Sequence, residues 1–138
     1  MKVVHTLLLA PLLASVVAVA GCGSDTTEPT ATTYVEQFSS RLQEKGRAWR
    51  SLTITTAGNV QMQLVALTQT EAIMNLGIGT INGTQCVLAA SVDTIANGTT
   101  VLPQLTRTVP VGTYCVQLQD IGNLTQLVDF TVRIERPF

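Results

Sequence analysis

The sequence is poor in the residues that carry most protein chemistry. Its 138 residues include one histidine, one tryptophan, two tyrosines and three phenylalanines, and only 12% are charged. The histidine, His5, sits beside an apolar leader at the N-terminus. If that leader is removed, no imidazole remains, which excludes a nucleophile activated by histidine and every zinc site built on imidazole. Eight Lys and Arg face nine Asp and Glu, so no basic field exists to attract nucleic acid. The acids are scattered, and their spacing does not suggest the facing carboxylate pair of a glycoside hydrolase. The expectation is a protein that is not an enzyme. No apolar run reaches the roughly 20 residues needed to span a bilayer as a helix.

The apolar residues that do cluster lie first at the N-terminus. Lys2 precedes a run of about 14 residues, Leu7 to Ala20, which ends in the small residues Ala20 and Gly21. This is the pattern of a secretory signal that is cleaved off. Val19-Ala20-Gly21-Cys22 resembles the bacterial lipobox, which implies that residues 1–21 are removed and that Cys22 is lipidated. The alternative is an ordinary secretory signal with an unrelated cysteine behind it. Two or more acyl chains hold a protein on a membrane stably where one does so only marginally. The implied location is therefore the cell envelope, with the lipid on Cys22 as the contact to the membrane. Gly23 in place of aspartate favours the outer membrane by resemblance to Gram-negative sorting rules. Residues 22–33 lack large apolar side chains and are rich in Thr, Ser, Gly and Pro, as a flexible tether requires. Residues 34–138 are of a length for one domain.

Three cysteines become an even pair once Cys22 is assigned to the lipid. In an exported chain, Cys86 and Cys115 are then expected to form a disulfide. Closing a loop of about 30 residues contributes on the order of 3–4 kcal/mol in the chain-entropy account.

From Asn59 onward the chain alternates with period 2. Val60, Met62, Leu64 and Ala66 alternate with Gln61, Gln63 and Val65; Val128, Phe130, Val132 and Ile134 alternate with Asp129, Thr131, Arg133 and Glu135. Such runs predict strands with one buried face. Turn residues at Gly58-Asn59, Asn82-Gly83, Asn97-Gly98, Pro110 to Gly112 and Gly122-Asn123 punctuate them. Residues 34–45 fit a helix or a strand, and a strand is preferred because a lone helix would be hard to bury. In the run from Ala48 to Thr55, Leu52 and Ile54 share one face and Trp49 takes the other. Tyr114, Val116 and Leu118 share a face, so Cys115 points away with Gln117 and Gln119. The bridge is thus expected on an outer sheet face or edge, and not through the core. The predicted class is all-β, two antiparallel sheets of about eight strands packed face to face.

Gly112-Thr-Tyr-Cys-Val-Gln-Leu-Gln-Asp-Ile-Gly-Asn-Leu-Thr with Val128-Asp-Phe-Thr-Val resembles the closing strands of bacterial pre-peptidase C-terminal domains. Thr53-Ile-Thr-Thr-Ala-Gly-Asn-Val-Gln-Met-Gln-Leu is similar to their early hairpin, and Leu76-Gly-Ile-Gly to their central strand. The resemblance implies a jelly-roll-like β-sandwich over residues 36–136. It also implies a non-catalytic accessory role, although here no enzyme domain accompanies it.

Several residues are candidates for sites. Asp120 and Asn123, with Asp129, could supply oxygens to calcium, but such residues also cap tight turns. Trp49, facing outward, is read first as a cover for the sheet edge and second as a platform for stacking on a ligand; Tyr34 is an amphipathic aromatic also able to stack, and Tyr114 shares that chemistry but lies in phase with the core. Asn82, Asn97 and Asn123 fit the glycosylation acceptor pattern, which turn chemistry explains as well. The expected function is an interaction module for a glycan, a peptide or an envelope protein. The alternatives are a structural lipoprotein that self-associates through sheet edges and a calcium-stabilised module.

Overall fold

The computed structural model describes residues 32–98 and 102–138. Cys22 and the leader lie outside the described residues. The elements are β1 (Thr33–Leu42), β2 (Arg47–Ile54), β3 (Gly58–Leu67), β4 (Met74–Asn82), β5 (Gln85–Thr94), β6 (Leu105–Val109), β7 (Gly112–Asp120) and β8 (Val128–Pro137). They form two four-stranded antiparallel sheets, ordered β1-β8-β3-β6 and β2-β7-β4-β5. Successive strands mostly alternate between the sheets, which is the double Greek-key order of a jelly roll. The ambiguous segment after the tether is a strand, β1, paired along its length with β8.

Alternation explains the core. Phe38 and Leu42 from β1, Leu52 and Ile54 from β2, and Val128, Phe130, Val132 and Ile134 from β8 are all buried. Phe38 and Phe130 meet edge to face, with centroids 5.1 Å apart, the arrangement that ring quadrupoles favour. β3 departs from the simple pattern. Val60, Met62 and Leu64 point inward, but Ala66 is exposed and Leu67 is buried. The pairing with β8 slips between Leu64 and Ala66, and one extra residue in a strand exchanges the faces of all that follow. The inward placement expected of Ala66 is therefore corrected to Leu67.

Turn chemistry closes the hairpins. Gly83 has φ of +60° in the two-residue link between β4 and β5, a conformation that glycine adopts without steric cost. The segment leading into β1 meets the C-terminus beside the β2–β3 turn, where the Phe138 N–H donates to the Thr32 carbonyl. Thr32 and Phe138 there line a shallow groove with Ala57 and Gly58. The opposite end of the sandwich is tied by the loops after β1, β3 and β7.

Candidate functional site

The loop end is organised around Asp120, the last residue of β7. Its Oδ1 accepts backbone N–H groups from Gly122 at 2.9 Å, Asn123 at 2.8 Å and Leu124 at 3.2 Å. Its Oδ2 accepts the N–H of Lys45 at 2.7 Å, the one described non-glycine residue with positive φ. Burial alone would push this carboxyl up, but the four N–H groups outweigh it and hold its pKa below the ordinary value. Asn123 is also engaged, its side-chain amide donating to the Ile73 carbonyl at 3.1 Å. Asp129 lies in the other sheet, where Arg41 donates to it at 3.0 Å. Turn capping thus accounts for the oxygens of Asp120, and Asp129 belongs to the other sheet, bonded to Arg41. Among the described residues, no three His, Cys, Asp or Glu gather as metal ligands.

Tyr34 serves a seam. Arg136 lies over its ring at 4.7 Å, and Glu36 accepts from both Arg136 and Arg50. Arg50 in turn covers the Phe38 ring. These residues close the side of the sandwich where β1 approaches β2, so one face of Tyr34 is already occupied.

Trp49 has different surroundings. Strand register places three rows across the outer face of the sheet β2-β7-β4-β5. The middle row is Trp49, Gln117, Gly77 and Ser91. Toward the loop end follow Arg47, Gln119, Asn75 and Asp93; toward the chain ends follow Ser51, Cys115, Gly79 and Leu88. Cys86 and Cys115 form the expected disulfide, with Cα atoms 5.7 Å apart. Both belong to this one sheet, so the bridge lies on its outer side and does not cross the core. The bulge at Ile78 and Gly79 folds the β4–β5 hairpin over β7, and a Cβ on Gly79 would collide with the Val87 carbonyl. Cys115 is fully buried there, which phase alone did not indicate.

Leu88 methyl groups lie over Gly77, where a Cβ would sit 2.8 Å from them. Trp49 stands half-buried on the opposite side. Gln117 is only 2% exposed although it points away from the core. Its Nε2 donates to Gln119 at 3.3 Å, while its buried Oε1 has no hydrogen-bond partner. Sequence reasoning singled out Trp49 but passed over Gln117. Its phase was legible, but its burial depends on strands far away in the chain.

Strand order and sheet pairing define the class, a jelly-roll β-sandwich. No protein-family model matches the chain, and no curated protein matches it. Among solved structures it is similar to the Yersinia pseudotuberculosis-derived mitogen, with a TM-score of 0.51 and 10% identity over 76% of this chain and 87% of that one. At that identity the likeness is one of fold.

Proposed function

We propose that this protein is a non-catalytic envelope lipoprotein, anchored through Cys22, whose β-sandwich is an interaction module. The observation that carries the binding role is the outer face of β2-β7-β4-β5, where half-buried Trp49 lies in register with Gln117, whose buried side-chain oxygen has no hydrogen-bond partner. Among the described residues, Thr32 lies beside Phe138 at the end of the sandwich opposite the Asp120 loops, which is compatible with an anchor that precedes it. The resemblance of residues 36–136 to pre-peptidase C-terminal domains, noted in the sequence, favours an accessory role without chemistry of its own. Cys22→Ser should abolish incorporation of labelled fatty acid and release a folded domain into the soluble fraction; label that persists refutes the anchor. Cross-linking in whole envelopes should capture a partner that Trp49→Ala loses.

A second reading, self-association, draws on β5. This strand of 10 residues pairs in its sheet with β4 alone, leaving an edge able to add another strand. Sedimentation as a strict monomer at high concentration would remove that reading.

A further inference from the structure

The two long sides of the sandwich are closed differently. Where β1 meets β2, Arg50 and Arg136 share the carboxylate of Glu36. On the other side, the edge strands β6 and β5 flank a cavity of about 110 Å³ whose lining includes Ile78, Gly79, Ala89, Arg107, Val109 and Tyr114. Leu105, Arg107 and Val109 of β6 are paired with Met62, Val60 and Gly58 of β3, and Met62 and Val60 are fully buried. Side chains of a cross-strand pair share a face, so Arg107 takes an inward register position at the sheet edge. It forms no ion pair or hydrogen bond with any described residue, and no Asp or Glu lines the cavity. We infer that this cavity binds a short aliphatic carboxylate, whose hydrocarbon chain fills it while Arg107 takes the carboxylate.

The chemistry of the walls selects that ligand. Ile78 and Val109 are buried hydrophobic side chains. The Tyr114 hydroxyl is engaged, donating to the Pro110 carbonyl at 3.0 Å, and the Thr108 hydroxyl donates to Asn59. Thr80 aside, this leaves an apolar interior and one guanidinium, whose N–H groups only donate. A carboxylate matches that fork in both charge and geometry. An engineered apolar cavity of about 150 Å³ holds benzene, so a smaller one suits about four or five carbons. The ligand is therefore a carboxylate on a short uncharged chain, as in a branched five-carbon acid or in the leucine that ends a peptide. The residues that form this site are separate from the Trp49 face, so the binding proposed there and the binding inferred here are independent.

Titration of the full chain with isovalerate and with N-acetyl-leucine, followed by amide NMR, should give saturable shifts centred on Gly79, Ala89, Arg107 and Val109 with at least one of them. Binding of isovalerate alone assigns a free acid as the source, and binding of N-acetyl-leucine alone assigns a peptide end; either supports the site. The matching uncharged amides, isovaleramide and N-acetyl-leucinamide, should bind about tenfold or more weakly. Arg107→Gln should weaken the acid by a similar factor and leave the amide unchanged. Because Arg107 is exposed and makes no pair, that variant should melt within about 3 °C of the parent, which separates lost recognition from lost folding. Ala89→Leu, which fills the cavity from an exposed position, should abolish binding. The inference is overturned by an absence of saturable shifts with both acids, by equal affinity for acid and amide, or by either variant binding like the parent. Trp49→Ala should bind the acid as the parent does, so loss of an envelope cross-link in that variant tests the interaction module and not this site.

Discussion

The outer faces of the two sheets are built on different terms. On β1-β8-β3-β6, cross-strand neighbours answer one another: Arg41 bonds Asp129 at 3.0 Å, the Ser39 and Thr131 hydroxyls meet at 2.9 Å, and Thr108 bonds Asn59 at 2.5 Å. Arg133 pairs with Glu135 along β8 at 2.8 Å. These polar pairs satisfy each other and face water, as a solvated sheet surface should. On β2-β7-β4-β5, the central positions are two glycines, a disulfide and a buried glutamine with an open valence for a hydrogen bond. The first face is completed by its own side chains; the second leaves one buried polar atom unpaired.

The comparison is broken most severely at the bridge. Replacing Cys86 and Cys115 together by alanine should cost about 3–4 kcal/mol and lower Tm by more than about 10 °C, as read by calorimetry. Trp49 emission should shift as well, because the hairpin over β7 loosens. A loss below about 1 kcal/mol would mean that the bulge at Gly79 holds the hairpin without the covalent link.

Asp120 sharpens the comparison by loosening the end of β7 from which the second face is built. Asp120→Asn should cost about 1–3 kcal/mol through weakened charge-assisted hydrogen bonds. Because the folded-state pKa is depressed, the stabilisation from this group is complete above the ordinary carboxylate value of about 3.9. It is lost as pH falls from there through the lower folded value. Chemical denaturation from pH 7 down to 2 should therefore show an acid limb in the parent that is shallower in the variant. Identical limbs would indicate that the bracket contributes through shape and not charge.

The smallest effect belongs to the first face. Arg41 and Asp129 have side chains 73% exposed, and pairs of that kind contribute at most about 1 kcal/mol. Arg41→Ala should move Tm by no more than a few degrees and leave Trp49 emission unchanged. An effect as large as that of the bridge would show that the faces are not independent.

Much of this was legible in the residues. Alternation assigned the inward faces of β2, β7 and β8, and turn residues marked the hairpins. Counting cysteines, with Cys22 set aside, paired the other two, and phase placed their bridge off the core. What failed did so for one reason. The extra residue near Val65 that moves Leu67 inward depends on how β3 meets β8, and the occupied ring of Tyr34 depends on Arg136 at the other end of the chain. The turn at Asp120 was legible, but the Lys45 N–H on its second oxygen belongs to a loop 75 residues earlier.

By itself the sequence determined the class of fold and the bridge, since these follow from cysteine count and from a period that each strand carries locally. Tertiary structure alone decided that Gln117, between Trp49 and Gly77, lies buried and incomplete on an outward face. Burial is a property of neighbours, and the neighbours of Gln117 come from β2, β4 and β5, strands that only the pairing of the sheet brings together.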